Sequence, residues 1–452
     1  MNKGKKKAKE SPALQLALLY PQAAGLDVGS MNMVVSYQDS EGKQKVVEYT
    51  AYTEDLKKMG QLLINEGVEH LAMEATGSYW MSVYDILEDA GINITLVNAR
   101  HYKNVTAQKT DVKDAQWLQQ LHAHGLLRGS HIAPEKYREL RTYIHERVVF
   151  QNQKSDALNR IQKILTQMNI KVQHIISDIE GVAGMQIIQK IANGICTPDE
   201  ILSDVNTRSL KASHQELVKS LEGQYKPYLI HVLKQHIKAH GFYKEQMKQY
   251  EERIEYLLDQ LLPVDENGHK PLIKPKTKKS RKNQYSFNLR DYLTAIAGTD
   301  LTEIDGLDEA TVLSIISITG TDMGKWKTSD HFTSWLNLSP RMKKSGGKLL
   351  GHQKRYTNNQ ATQAFRLGAQ SVWNNKNQLG HLYRRLSASK GSKKAIKAVA
   401  RRLAVIYYQM MKNKTPYEPQ RVSIDNERYR ILKLKRLQKE AEKLGYALTF
   451  AA

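Results

Sequence analysis

Residues 25–50, GLDVGSMNMVVSYQDSEGKQKVVEYT, decide how the first third of the chain is read. Leu26 and Val28 begin an extended run around Asp27, which Gly29, Ser30 and Asn32 interrupt before Val34 and Val35 resume it. The second strand enters a turn at Asp39–Gly42, and KQKVVEYTAY follows as a third. Three consecutive strands joined by short connections predict an antiparallel meander. After this meander, Thr53 is placed to N-cap a helix through Leu56, Met59, Leu62 and Leu63, ended by Gly67. VEHLAMEA then reads as a strand, YWMSVYDILEDAG as a helix stopped by Gly91, and INITLVNA as another strand.

Three strands, helix, strand, helix, strand is the order of an α/β RNase H-like domain, in which a hairpin edge continues into a parallel sheet. In that topology the strand after the first helix lies beside the first strand, so Glu74 of LAMEATGSYW falls next to Asp27. A helix begun by QKTDVKDAQWL and packed across the end of the sheet would bring Asp111 and Asp114 to the same place. Their i, i+3 spacing puts both on one side of that helix. Four carboxylates this close repel one another unless a divalent cation neutralises them. Hard oxygen ligands select Mg2+ or Mn2+ over zinc, and two such ions about 3.5–4 Å apart clamp an in-line attack at phosphorus. Each acid alone also has a plainer reading: Asp27 as a turn former, Asp111 and Asp114 as helix-capping groups. The four together favour the metal site.

Beyond residue 135 the period changes. Leu140, Ile144, Val148, Leu158, Leu165 and Met168 recur at three- and four-residue steps, with Gln151 and Ser155 in polar seam positions. This predicts a long amphipathic helix from Tyr137 to about Ile179, coiled-coil in character. A second helical stretch is expected over 207–262, including Met247, Ile254, Leu257, Leu258 and Leu261. The expected organisation is a basic tail (1–20), the α/β domain (21–135), a helical region (136–262), a basic linker (263–290), a mainly helical domain (291–415) and a helical tail (416–452).

The chain has 452 residues with 68 Lys+Arg against 46 Asp+Glu, a formal net charge of +22. That excess points to a polyanionic partner, nucleic acid first. One cysteine, Cys196, excludes a disulfide scaffold or a Cys-based zinc cluster. No apolar run is long enough for a membrane span, and the basic N-terminus lacks the apolar core of a secretory signal, so a cytoplasmic protein is expected. Positive charge concentrates in 270–290, 341–355 and 376–402, interleaved with Tyr285, Phe287, Tyr356, Trp373 and Tyr383. This pattern predicts a surface that tracks a phosphate backbone.

Within NLSPRMKKSGGKLLGHQKRYTNN, Ser345 precedes Gly346 and Gly347 and is flanked by Lys343, Lys344 and Lys348. Gly-Gly permits close backbone approach to a phosphate, the lysines stabilise phosphoryl charge, and the serine is a candidate nucleophile. A simple turn is the rival reading, and Ser339, before Pro340, is the rival serine. IDGLDEATVLSIISITG has the form of a helix-hairpin-helix turn offering backbone N–H groups to a phosphate; a plain helix-Gly-helix turn is the alternative. His236 and His240, at i, i+4 with no acid between them, read as a solvated helix face. Cys196 reads as a buried or incidental thiol, and Trp80 and Trp117 as core residues.

Taken together, GLDVGS, MEATGSYW, NARHYKNVTAQKTDVKDAQWLQQLHAHGLLRGS and SPRMKKSGGK resemble the DEDD-type bacterial insertion-sequence transposases. These are relatives of the Piv DNA invertases, also described as bridge-RNA-guided recombinases, and the likeness covers about 21–135 and 290–375. It implies a RuvC-like domain whose D-E-D-D acids match Asp27, Glu74, Asp111 and Asp114 and bind Mg2+ or Mn2+. It also implies a coiled-coil region and a C-terminal transposase domain in which Ser345 attacks DNA and holds it covalently. Arg341, Lys343, Lys344, Gly346, Gly347, Lys348, Lys354 and Arg355 would then contact nucleic acid. The implied partners are donor and target DNA, a structured non-coding guide RNA and further copies of the chain, as dimer or tetramer, associated with the nucleoid when acting. The chain departs from the family where Lys344 stands for the first of two serines, where Asn337–Pro340 replaces Gly-Leu-x-Pro, and where Asp305 interrupts Ile-Pro-Gly. A metal-dependent endonuclease or Holliday-junction resolvase using only the four acids is the competing enzyme class, and a binding protein with a decayed site the non-enzymatic one.

Overall fold

The computed structural model describes residues 17–98, 110–207, 210–277, 282–340, 342–346, 348–352, 359–419 and 424–447. The chain divides into two compact units, Met1–Ile132 and Ala133–Ala452.

The first unit is an α/β sandwich. Strands β1 (Ala23–Val28), β2 (Asn32–Gln38) and β3 (Gln44–Thr50) form the meander, followed by α1 (Thr53–Asn65), β4 (His70–Glu74), α2 (Trp80–Asp89), β5 (Asn93–Val97) and α3 (Asp111–Ala123). The sheet order is β3-β2-β1-β4-β5, with β1 antiparallel to β2 and parallel to β4. That is the RNase H-like arrangement. Asp39 and Gly42 close the first hairpin turn, and Gly67, at φ +75°, follows α1. Thr53 is the first residue of α1 rather than its cap; no side chain caps that helix.

Strand alternation divides the sheet between two faces. Leu26, Val28, Val35 and Met73 face α1 and α2 and pack with Leu56, Met59, Leu63, Val83 and Leu87. The opposite face carries α3. At its C-terminal end His122 is buried, stacked on Tyr20 (ring centroids 5.0 Å apart) and edge-on to His70 (6.2 Å). Burial, with the neighbouring His70, pushes the His122 imidazole down to about 4. A histidine whose folded pKa is depressed stabilises the fold fully above its ordinary value near 6.5 and loses that contribution as pH falls towards 4. We expect up to about 3 kcal/mol of stability to disappear across that window. The fall should be absent from the denaturation profile of His122→Gln.

Among the described residues the second unit is helical except for one hairpin. It comprises α4 (Glu135–Gln167), α5 (Val172–Ile175), α6 (Val182–Ala192), α7 (Pro198–Leu202), α8 (His214–Leu221), α9 (Pro227–Gln260), α10 (Leu289–Ala297), α11 (Glu309–Thr319) and α12 (Ser329–Trp335). Strands β6 (Met342–Ser345) and β7 (Lys348–His352) form the hairpin, and α13 (Gln360–Ser371), α14 (Gln378–Lys390), α15 (Ser392–Asn413) and α16 (Ile424–Lys443) complete the unit. Helices α4 and α9 run antiparallel, with Tyr143 against Tyr250 and Phe150 against Tyr243. One end of the pair joins a core with α5–α8 and the other a core with α10–α15.

This pair departs from the expected seam. The first helix ends at Gln167, where Asn169 adopts φ +59°, not near Ile179. The second stretch is split, with α8 ending at Leu221 and α9 starting at Pro227. Val148 is exposed, and the buried neighbour is Arg147, whose guanidinium bonds Glu251 (Nη2 to Oε1, 2.6 Å) and covers the Tyr285 ring at 4.0 Å. His240 is 3% exposed, not part of a solvated face. Its Nε2 lies 3.3 Å from Glu180 Oε1, which also takes Lys154 Nζ at 2.8 Å, while Lys282 Nζ meets Oε2 at 2.6 Å. The His240 contact, then Lys154 and Lys282, hold the Glu180 carboxyl well below the usual carboxylate range. Removing one member of a buried ionic cluster strands the others. Glu180→Ala should therefore cost about 3–5 kcal/mol in chemical denaturation, far more than an exposed Glu→Ala control.

The aromatics expected on a nucleic-acid surface divide. Tyr285, Phe287 and Tyr383 are core residues, Trp373 is exposed, and Tyr356 lies outside the described residues. Cys196 and Trp117 are exposed rather than buried, and Trp80 packs against the first unit's core. Among the described residues no helix is long and apolar enough to cross a membrane.

Candidate active site

Asp27 is the fifth residue of β1 and Glu74 the last of β4. The parallel register pairs Gly25 with Ala72 and Leu26 with Met73, so one further step sets Asp27 beside Glu74 at the C-terminal edge of the two central strands. Period-two alternation turns Asp27 and Glu74 to the face shared by Gly25 and Ala72, which is the α3 face. Glu74 is 6% exposed and accepts a hydrogen bond from Thr76 Oγ1 at 3.2 Å.

Helix α3 lies along this face rather than across the end of the sheet. Gly25 makes the approach possible: a Cβ there would collide with the Ala115 carbonyl and the Gln119 amide. The rotation of α3 is fixed by Gln119, whose Oε1 accepts from Ser36 Oγ (2.6 Å) and Gln44 Nε2 (3.2 Å). With His122 near the start of β4 and Ala115 over Gly25, α3 runs antiparallel to β1. Asp111 lies four residues before Ala115, about 6 Å along the helix, and Asp27 two residues after Gly25, about 6.6 Å along the strand. Both advances run the same way, so the first turn of α3 reaches the end of the sheet that holds Asp27 and Glu74.

Thr110 caps α3, its side chain accepting from the Lys113 amide. Neither aspartate serves as the cap. Asp111 is exposed and Asp114 half-buried. The topology thus sets Asp27 and Glu74 at one end of one face and brings the first turn of α3, which carries Asp111 and Asp114, towards that end. Among the described residues, however, no three His, Cys, Asp or Glu side chains converge closely enough to hold a metal ion. As a donor set, a buried glutamate and three aspartates supply oxygen only, which fits a hard divalent cation.

Sequence reasoning missed Gly25 and Gln119. A glycine inside a strand, two residues before the aspartate, was the available signal for close backbone approach. Nothing local marked the partners of Gln119, which lie 75 and 83 residues away.

In the second unit Ser345 ends β6 and pairs with Lys348 of β7 across Gly346 and Gly347. The expected loop is a hairpin tip. Gly346 has φ +53°, a conformation that favours glycine, and Ser345, Gly346 and Lys348 are exposed. Lys343 and Lys344 lie in β6, whereas Arg341, Gly347, Lys354 and Arg355 lie outside the described residues. The rival Ser339 is half-buried, its Oγ 2.9 Å from Thr333 Oγ1 and its amide bonded to the Thr333 carbonyl. That hydroxyl fastens the end of α12. Gly306, the glycine of the expected helix-hairpin-helix turn, abuts Gly368 of α13, where a Cβ would meet the Gly368 carbonyl oxygen at 2.5 Å. Its lack of a side chain serves packing.

Residues 24–170 match a family model of the DEDD, IS110 type described as a transposase, and residues 298–384 match one described as transposase IS116/IS110/IS902 family. No curated protein matches the chain. The two matches follow one another in the chain, together span more than half of it and include every residue of the acidic quartet and Ser345. The chain belongs to the IS110 family of transposases and is a DNA transposase of an insertion sequence.

Proposed function

We propose that this transposase exchanges DNA strands through a phosphoserine link at Ser345, with Asp27, Glu74, Asp111 and Asp114 as a divalent-cation site and a structured non-coding RNA selecting the sites. What supports the reading is that Asp27 and Glu74 stand on adjacent parallel strands, one step beyond the paired Leu26 and Met73, and that Asp111 and Asp114 lie in the first turn of the helix that Gly25 admits to that face.

Ser345 Oγ attacks phosphorus, forming an Oγ–P ester as the P–O bond to the departing sugar breaks. The serine proton leaves, the sugar oxygen gains one, and a second DNA hydroxyl later reverses the step. One ester replaces another, so bond energy is conserved. Lys343, Lys344 and Lys348, which flank Ser345 in the sequence, supply positive charge to the phosphoryl oxygens. Asp27, Glu74, Asp111 and Asp114 would hold Mg2+ or Mn2+, whose chemistry there would be Lewis-acid stabilisation of negative charge on a DNA phosphate. The paired α4 and α9 serve as an arm through which copies associate as dimer or tetramer, in coiled-coil fashion.

The test is strand joining by purified protein with Mg2+, donor and target duplexes, and RNA transcribed from the DNA flanking the reading frame. Joined product that requires the RNA is expected. Equal joining without it overturns guidance. Cleavage without joining favours the resolvase or nuclease alternative.

A further inference from the structure

Between Asp330 and Glu418 the sequence holds eighteen lysines and arginines and no aspartate or glutamate. Within this acid-free stretch, the short 3-10 turn Val372–Asn374 connects α13 to α14 and shows Trp373 to solvent at 56% exposure. Exposing an indole so fully forgoes burial worth as much as a core side chain.

The turn is built, not loose. Arg384 of α14 donates through Nη1 to the carbonyls of Trp373 (2.7 Å) and Asn375 (2.9 Å). Gly380, one helical turn earlier, lies so close that a Cβ would strike the Asn375 and Val372 carbonyl oxygens. Val372, at the start of the turn, is fully buried in the core. The backbone on both sides of Trp373 is thereby pinned to α14. Lys376, two residues after the turn, and Arg366 on α13 are exposed as well.

We propose that Trp373 is a stacking platform for an unpaired nucleobase of the bound polynucleotide, with Arg384 as the positioning residue that fixes its turn. The inference rests on the nucleic-acid reading of this unit and goes beyond it by naming a base contact. An aromatic held rigid costs little ordering on binding, every base offers a π-face, and the exposed Arg366 and Lys376 supply positive charge for the flanking phosphates. Either strand chemistry supplies such a base: DNA opened during exchange, or a loop of RNA.

The test uses full-length protein and three fluorescent probes at fixed salt: a fully paired DNA duplex, the same duplex with a two-base bulge, and an RNA hairpin with a single-stranded loop. Trp373→Ala should weaken binding of the bulged DNA, the RNA or both by about five- to a hundredfold. The paired duplex should change less than about twofold, and the salt slope should hold, because no charge is removed. Trp373→Phe should restore most of the affinity, and Arg384→Gln should give an intermediate loss with the tryptophan intact. Equal weakening of all three probes, no weakening, or a change in sedimentation showing that Trp373→Ala breaks up an oligomer would each overturn the proposal. Wild-type protein that binds none of the probes would overturn the nucleic-acid reading itself.

Discussion

Ser345→Ala is expected to lower strand joining by on the order of 10^4- to 10^6-fold, with DNA binding unchanged. Ser345 ends a strand, is exposed, and pairs with Lys348 across the hairpin. Among its described residues the hairpin tip contributes none to either hydrophobic core, so loss of the hydroxyl should leave thermal stability within about 0.5 kcal/mol of wild type. Ser339→Ala is the matched control. It removes the bond to Thr333 at the end of α12, so its effect should fall on stability, by about 1 kcal/mol. Joining measured by gel, with retention in a filter-binding assay, separates the two outcomes. A Ser345→Ala protein that still joins strands would end the serine mechanism.

The second large effect is expected at the sheet edge. Asp27→Asn and Glu74→Gln keep shape and volume but remove one negative charge each from the end of the α3 face. Each should reduce Mg2+-dependent strand exchange by about 10^3-fold, several kcal/mol of transition-state stabilisation. Each should also weaken Mn2+ binding followed by electron paramagnetic resonance, a readout that does not depend on turnover. Glu74 is the more informative position, because its carboxylate is buried at the edge of a sheet whose other face is packed with apolar side chains. Unchanged Mn2+ binding in both variants would disqualify the quartet as ligands, whatever happens to activity.

How much of this the sequence carries depends on how local each signal is. The five strands described in the first unit follow from alternation and turn residues between Gly25 and Asn98, and their order places Glu74 beside Asp27 without further information. The seating of α3 was half legible. Gly25 announces a close approach, but that α3 lies along the face depends on Gln119 reaching Ser36 and Gln44. The long helices were legible as helices and misread in their seam, because Arg147 and Lys154 occupy core positions that periodicity assigns to apolar residues. Their partners, Glu251 and Glu180, come from other elements. His240 was misread for the same reason. The hairpin at Ser345 was hidden because its strands, MKKS and KLLGH, carry too few β-branched or aromatic residues to register as strands. Tyr285, Phe287 and Tyr383 sit among lysines and arginines in the sequence but point into the core, a direction that composition does not encode.

The measurement that tests the account most directly is the chemical identity of the protein–DNA link. A reaction with labelled DNA, quenched in denaturant during strand exchange and digested with protease and nuclease, leaves a nucleotide-bearing peptide whose modified residue mass spectrometry assigns. A phosphoester on Ser345 is expected, formed in the presence of Mg2+ and absent from Asp27→Asn. A nucleotide on Ser339, or DNA cut to free phosphate ends with no peptide attached, would contradict it.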